Sequence, residues 1–292
     1  MRLIVVSGLS GSGKSVALHA LEDLGYYCID NMPAALLKSV IEEVTKGDDK
    51  TKQSLALGVD ARNRAADLAA LPQLIEDLRQ QNIQTELLFL QSSDDVLLKR
   101  YSESRRRHPL AEQGQALRTA IDSERELLSN IINSADLIID TSRTSVYELG
   151  DMIRERVDRR HTNSLSVLIE SFGFKNGIPA DADFVFDMRS LPNPYWTMAL
   201  RGLTGQDEEV KQFLDAQDTF LAMYKDVLAF LEKWIPEYNA INRGYLTIAI
   251  GCTGGQHRSV HMAEKLAAAL RESQDTVLTR HNELGRHPLN KK

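Results

Sequence analysis

The segment Gly8-Leu9-Ser10-Gly11-Ser12-Gly13-Lys14-Ser15 has the spacing G-x-x-x-x-G-K-S, and its flanks restrict the fold more than any other feature of the chain. Residues 3–7, Leu-Ile-Val-Val-Ser, form a short apolar run suited to a buried strand. Residues 16–24 carry the apolar spacing of a helix. A strand that enters a glycine-rich turn and then opens a helix lets backbone amides wrap a phosphate, and the helix dipole adds positive potential. In that geometry Lys14 reaches the β- and γ-phosphates of a nucleoside triphosphate, and the Ser15 hydroxyl ligates Mg2+. The plain alternative is a Gly/Ser turn with a solvated lysine. The complete strand–loop–helix context argues against it.

The 292 residues accommodate two domains or one large α/β domain. With 42% hydrophobic and 26% charged residues, the chain reads as a soluble globular protein. No apolar run reaches the length of a membrane span. The first strand begins at once and leaves no room for a signal peptide, so a cytoplasmic protein with no membrane partner is expected. Two cysteines, Cys28 and Cys252, stand far apart, which excludes a disulfide framework and fits a reducing compartment. The net charge of −6 argues against a general nucleic-acid coat protein. No repeat or low-complexity segment is present.

Strand-like runs at residues 3–7, 26–30, 54–60, 86–90 and 137–140 alternate with helical stretches at 64–81, 94–107, 118–133 and 146–160. The alternation predicts an α/β fold: an N-terminal, kinase-like P-loop NTPase domain with a doubly wound parallel sheet over residues 1–158. Its ligands would sit at the carboxyl ends of the strands. Residues 154–164 are polar, and a linker is expected at about 159–164. A smaller C-terminal α/β domain, residues 165–292, is expected to have a strand at 165–171 and an irregular Gly/Pro stretch at 172–203. Helical pattern follows across 210–234, read as core, then a strand at 245–250 and a helix at 259–271.

A second acid is needed beside the phosphate loop to hold Mg2+ through water. Asp60, after Leu55-Ala-Leu-Gly-Val59, fits best; Asp140 is the rival, and either would also serve as a helix cap. Asn63 would cap the next helix or touch the nucleotide. The run from Lys99 to Pro109 holds Arg100, Arg105, Arg106, Arg107 and His108. It reads either as cations complementing a helix C-terminus or as arginines that clamp phosphates, as in small P-loop kinases. Asp30-Asn31-Met32-Pro33 lies where such kinases hold an acceptor.

A second phosphate-loop pattern follows the strand at 245–250. Cys252-Thr253-Gly254-Gly255-Gln256-His257-Arg258-Ser259 has the spacing C-x5-R-S of the loops that hold phosphate in cysteine-dependent phosphatases. Successive amides would form an anion nest, Arg258 would supply a bidentate fork, and a helix N-terminus would lower the Cys252 thiol pKa. Binding of phosphate or phosphosugar without chemistry is the preferred reading, ahead of a tight structural turn. Covalent phosphatase action stands third, because Gly251 occupies the place where such enzymes have histidine, and only Asp187 is conceivable as the acid. Arg189, Asn193, Tyr195 and Trp196 would give either a stacking and hydrogen-bonding surface or a rigid packed loop.

Taken together these segments resemble the bacterial RNase adapter proteins, the RapZ or YvcJ-type nucleotide-binding family, over essentially the whole chain. The resemblance rests on the loop from Gly8 to Ser15, on Asp30-Asn31-Met32-Pro33 and on Asp60-Ala61-Arg62-Asn63. It extends to Ser171-Phe-Gly-Phe-Lys-Asn-Gly-Ile-Pro179, Asp187-Met-Arg189-Ser-Leu-Pro-Asn193-Pro194 and Ile250-Gly-Cys252-Thr-Gly-Gly-Gln-His-Arg-Ser259-Val260. The last three are far more specific than the first loop. The resemblance implies ATPase and GTPase activity with Lys14, Ser15 and Asp60 at the reacting phosphates, and a second nucleotide contact at Asp60, Ala61, Arg62 and Asn63. It also implies a C-terminal domain that binds small regulatory RNA, presents it to an endoribonuclease and senses glucosamine-6-phosphate, with the loop from Cys252 to Ser259 in that pocket. A homo-oligomer is expected as well. The chain departs from the RNA-binding relatives in its tail, residues 280–292, which is thinner in basic residues and interrupted by Glu283. The second domain carries 14 Lys and Arg against 16 Asp and Glu, so its non-specific affinity for RNA is expected to be modest.

Overall fold

In the computed structural model, residues 1–46, 54–104, 107–111, 115–158, 165–241 and 243–284 are described. Arg105, Arg106, the linker at 159–164 and the tail at 286–292 lie outside them. The chain divides into two compact units, Met1–Arg159 and Arg160–Lys292.

The first unit runs β1 (Arg2–Gly8), α1 (Lys14–Asp23), β2 (Tyr27–Ile29), α2 (Leu37–Lys46), β3 (Ser54–Gly58), α3 (Ala65–Gln80) and β4 (Gln84–Gln91). It continues with α4 (Asp94–Ser104), α5 (Leu117–Leu127), α6 (Ser129–Asn133), β5 (Leu137–Asp140) and α7 (Val146–Asp158). The strands pair in the order β2-β3-β1-β4-β5, and all the pairs are parallel. Alternate residues of the strands face opposite layers. Leu3 and Val5, with Leu55, Leu57, Leu87 and Phe89, join a cluster closed by Leu68, Leu71 and Ile75 of α3. The other parity, Ile4 and Val6, serves the opposite face, where α1 lies against β1 and packs on α7. The sheet is therefore doubly wound. The chain leaves central β1 for β2 on one side and later reaches β4 on the other, so the strand order reverses at β1. Ligand clefts form at such a reversal, beyond the carboxyl ends of the strands.

The second unit contains β6 (Ser166–Gly173), β7 (Phe184–Asp187), α8 (Glu208–Asp215), α9 (Asp218–Ala240), β8 (Tyr245–Cys252), α10 (Arg258–Leu270) and β9 (Thr276–His281). Its parallel sheet has the order β7-β8-β6-β9. Strands β6 and β8 are buried along their whole length. Their Val167, Ile169, Leu246 and Ile248 pack with Phe220 and Leu231 of α9 and Met262 and Leu266 of α10.

Several elements differ from the sequence expectation. The helix expected over 118–133 is two helices, because fully buried Leu128 turns to φ −92°, ψ 3° and ends the first of them. The helical pattern over 210–234 likewise breaks at Gln217, which is extended at φ −99°, ψ 117°. The stretch 172–203 is not wholly irregular: it contains β7, an edge strand whose Phe184 and Phe186 meet the Phe230 ring edge-on at 5.2 and 5.6 Å. Helix α2 and strand β9 were not anticipated.

Candidate functional site

The loop at residues 8–13 owes its path to glycine. Gly8, Gly11 and Gly13 have φ of 145°, 87° and 109°, values that disfavour any residue with a Cβ. A Cβ on Gly8 would also lie 2.2 Å from the Leu90 carbonyl oxygen, so the loop lies directly on β4. Helix α1 starts at Lys14, which leaves the amides of its first turn without an intrahelical acceptor. Lys14 Nζ folds back and donates to the carbonyls of Gly8 (2.7 Å) and Leu9 (3.3 Å). Burial pushes its pKa below the usual lysine value, opposed by the fields of Glu124, Asp60 and Asp30. A poorly solvated ammonium held beside free helical amides is suited to an incoming anion.

These groups face a cavity of about 730 Å³ at the carboxyl ends of the strands. Ser10, Gly11, Gly13, Lys14 and Ser15 line one wall; Asp30, Asn31, Asp60 and Arg62 line another. Val16, Arg100, Tyr101, Ser104, Arg107 and Pro109 complete it. Gly8, Leu9, Ser12, Ala61 and Asn63 lie behind the lining. Of the two candidate acids, Asp60 is in the wall. Asp140 instead accepts from the amide (2.8 Å) and hydroxyl (2.5 Å) of Ser142 and shapes the turn after β5.

The second wall is built by one asparagine. Asn63 Oδ1 accepts from the Ala34 amide at 2.6 Å, and its Nδ2 donates to the carbonyls of Met32 (3.3 Å) and Asp60 (3.0 Å). The Met32 amide adds a bond to the Gly58 carbonyl at 2.7 Å. Asn63 thus neither caps α3 nor faces the cavity; it fixes the loops after β2 and β3 to each other. Asp60 and Arg62 form a fork-on-fork pair, with Nη2 to Oδ2 at 2.5 Å and Nε to Oδ1 at 3.2 Å. Gly58 leaves room for Asp30, since a Cβ there would stand 2.6 Å from Asp30 Oδ1.

The arginines divide. Arg100 donates to the carbonyls of Gly11 (3.0 Å) and Thr141 (2.7 Å) and so braces the loop against the end of β5. Arg107 is exposed at the cavity wall. Sequence reasoning missed one residue altogether: Glu124 of α5, wholly buried, accepts from the amide (2.9 Å) and hydroxyl (2.6 Å) of Ser10. Burial, the largest influence on its carboxyl, would raise the pKa, but bonds from His108 and Ser10 outweigh it and the net shift is downward.

In the second unit the loop after β8 turns on itself. The Gly255 amide donates to Cys252 Sγ at 3.2 Å, and the Ser259 hydroxyl lies 3.1 Å from the same sulfur. Burial raises the Cys252 pKa, yet the Ser259 and Gly255 bonds and the Arg258 charge overcome it, and the thiol ends below its usual value. Arg258 is not an open fork. Its Nη1 donates to the carbonyls of Arg189 and Leu191, both at 2.9 Å, and its Nη2 to Thr253 Oγ1 at 3.3 Å. Its Nε and the Nε2 of buried His257 have no partner among the described residues. Burial lowers the His257 pKa, which favours the neutral ring.

Asp187 ends β7 opposite Gly251, and it pairs with Arg189 through Nη2–Oδ2 at 2.7 Å. The Arg189 guanidinium also covers the Phe174 ring at 3.8 Å. Asp187, Arg189, Thr253, Gly254, Gly255 and Arg258 are therefore gathered at the carboxyl ends of β7, β8 and β6. Asn193 has a local task, its Oδ1 accepting from the Tyr195 amide at 3.3 Å to start a 3-10 turn. Tyr195 and Trp196 project outward, 44% and 77% exposed, so they form a surface and not a packed loop.

No group of three or more His, Cys, Asp or Glu side chains suited to a metal occurs among the described residues. No described helix is long and apolar enough to cross a membrane.

Both halves match known family models: residues 1–161 the RapZ-like N-terminal domain, and residues 165–285 the RapZ C-terminal domain. A nucleotide-binding protein of Halorhodospira halophila is 52% identical over 284 residues, 97% of this chain and 99% of that protein. A nucleotide-binding protein of Stutzerimonas stutzeri is 49% identical over 284 residues, 97% of this chain and all of its own length. Among solved structures, a shikimate kinase from Bacteroides thetaiotaomicron covers 54% of this chain and 98% of its own, at 15% identity and a TM-score of 0.37. With two family models matched in order and relatives near half identity over their full length, the chain belongs to the RapZ family.

Proposed function

We propose that the first unit binds a nucleoside triphosphate, ATP or GTP, in the cavity at residues 8–15 and hydrolyses it slowly. The carrying observation is the placement of a half-buried, poorly solvated Lys14 beside the amides of an opening helix, in a cavity of about 730 Å³. Such a volume suits a nucleotide-sized ligand. The relatives' description as nucleotide-binding proteins supports the same reading. The residues also fit Mg2+. Ser15 and Asp60 offer a hydroxyl and a carboxylate to the same cavity, the hard oxygen donors that this ion takes. When bound, the ion would neutralise charge on the phosphates.

The chain's own residues do the rest. The loop amides orient the β-phosphate, and Lys14 exchanges its bonds to Gly8 and Leu9 for phosphate oxygens. Asp60, held by Arg62, is presented in one orientation. Arg107 offers a cation at the wall facing the terminal phosphate. Asp30 and Asn31 line the same cavity, which favours a second reading in which a hydroxyl-bearing small molecule accepts the phosphoryl group.

For the second unit we propose a phosphorylated ligand of the glucosamine-6-phosphate type at the Cys252–Ser259 loop. With Asp187, Arg189, Asn193, Thr253, Gly254, Gly255, His257 and Arg258 around it, the loop would signal to an RNA-adapter role that engages small regulatory RNA and an endoribonuclease. The match to the RapZ C-terminal domain supports this. Titration calorimetry of the full chain and of Lys14→Ala with ATP, GTP and their diphosphates tests the first proposal; equal affinity of the two proteins would overturn it. Glucosamine-6-phosphate titrated into the same proteins, and RNA crosslinked to the full chain in cells, test the second. Absence of both signals would remove it.

A further inference from the structure

A buried carboxylate beside a site for polyphosphate opposes anion binding, so Glu124 calls for a reason. It is wholly buried, as is the His108 side chain. Its oxygens take three donors. Ser10 supplies its amide at 2.9 Å and its hydroxyl at 2.6 Å, and His108 Nε2 lies 3.2 Å away. The imidazole proton can be assigned from its other nitrogen. His108 Nδ1 accepts from the Leu110 amide at 3.2 Å and so carries no hydrogen, which leaves Nε2–H to donate to Glu124. The Tyr101 ring covers the imidazole at 5.3 Å, tilted by 47°. Three donors fill most of the carboxylate's roughly four acceptor sites, and its burial keeps it from bulk water.

What the carboxylate joins is informative. Ser10 belongs to the phosphate loop, and His108 directly follows Arg107, an exposed cation of the cavity wall. The tie spans 114 residues of sequence on one side and 16 on the other. We infer that Glu124 is a positioning residue that holds Arg107 at a fixed place relative to the phosphate loop, by binding Ser10 of the loop and His108 of the arginine segment with one carboxylate. The inference rests on the nucleotide reading of that loop. It accounts for the buried charge: the tie fixes the arginine, and Lys14 offsets the local negative field.

The test uses the full chain with Glu124→Gln, His108→Ala, His108→Gln and Arg107→Ala. Hydrogen exchange without nucleotide is measured first. Glu124→Gln is expected to speed exchange in residues 8–13 and 107–111 together by about tenfold, with β1 and β4 unchanged. Loosening of one segment alone overturns the inference, whatever the protein binds. Hydrolysis of ATP and GTP is measured next. Glu124→Gln, His108→Ala and Arg107→Ala should each lower kcat by roughly tenfold to a hundredfold, the scale of a misplaced group. His108→Ala and Arg107→Ala should leave diphosphate affinity intact, and His108→Gln, which keeps an N–H for Glu124, should recover most of the rate.

Adding Arg107→Ala to Glu124→Gln should cost nothing more. Multiplying effects, or diphosphate affinity that falls in step with turnover, would show that Glu124 merely supports the fold. Should Glu124→Gln fail to fold, His108→Ala carries the same comparison. A wild type that binds no nucleotide would refute the nucleotide reading and leave the exchange result to decide the tie.

Discussion

The two phosphate-type loops of this chain are built from the same parts, and they use them in opposite ways. Each follows a buried strand, turns on glycine and opens a helix bearing a cation at or near its start. In the loop at residues 8–15 the cation, Lys14, bonds only to carbonyls of its own loop, and the helix faces a cavity. In the loop at residues 252–259 the cation, Arg258, bonds the carbonyls of residues 189 and 191 and so fastens a distant segment. The amide of Gly255 there points at the loop's own sulfur. A nest of donors is therefore not by itself a ligand site. In the first loop an anion would have only the loop's own carbonyls to displace from Lys14; in the second, Arg258 would hold an anion while still fastening residues 189 and 191.

The largest effect should come from Lys14→Ala. Removing an ammonium that would bond charged phosphate oxygens is worth about 3 kcal/mol, roughly a hundredfold in nucleotide affinity, readable by calorimetry. The thermal unfolding of the protein should scarcely change, because the bonds lost to Gly8 and Leu9 are few. Arg258→Lys should behave the other way. A lysine cannot span both carbonyls and Thr253, so the second unit should lose about 2 kcal/mol of stability while nucleotide affinity stays as it was. Calorimetric unfolding that is unaltered by Arg258→Lys would break the contrast between the loops.

How far the sequence disclosed this arrangement depended on how local the cause was. The phosphate loop and the core strands were legible because glycine spacing and apolar runs act over a few residues. Helix α2 was equally local: Leu37 and Ile41, one turn apart, both enter the core, and the pattern was passed over. The breaks at Leu128 and Gln217 were not legible, since neither carries Gly or Pro and tertiary packing decides them. Asp60 was set ahead of Asp140 by the strand pattern alone, and it is Asp60 that lines the cavity, whereas the role of Asn63 in binding two loops needed the fold. Glu124 had no signal at all. Along α5 it looks like Glu126, and only the packing brings it to Ser10.

A smaller effect sharpens the contrast within the first loop. Gly13→Ala places a Cβ 2.6 Å from Leu149 Cδ2 at φ 109°. The Leu149 tip can move, but the dihedral cannot relax without turning the loop amides away, a strain of about 1–2 kcal/mol. Nucleotide affinity should fall roughly tenfold, with a matching drop in the unfolding temperature of the first unit. A drop in stability without a drop in affinity would mean that the amides of residues 11–15 do not touch the phosphates.

The smallest effect concerns Cys252, and it tests how the second loop holds its own sulfur. Its thiol pKa is lowered: burial pushes it up, and the bonds from Ser259 and Gly255 with the Arg258 charge more than compensate. A group whose folded pKa is depressed stabilises the folded state fully above its unfolded pKa, and that contribution is lost as the pH falls through the folded value. Thiolate absorbance of the folded protein should therefore appear at lower pH than for an ordinary cysteine. In Ser259→Ala, which removes the first of the compensating donors, its midpoint should move up. The stability difference between wild type and Ser259→Ala should be largest at alkaline pH and narrow as the pH falls. An unmoved midpoint would mean that the Ser259 hydroxyl does not donate to the Cys252 sulfur.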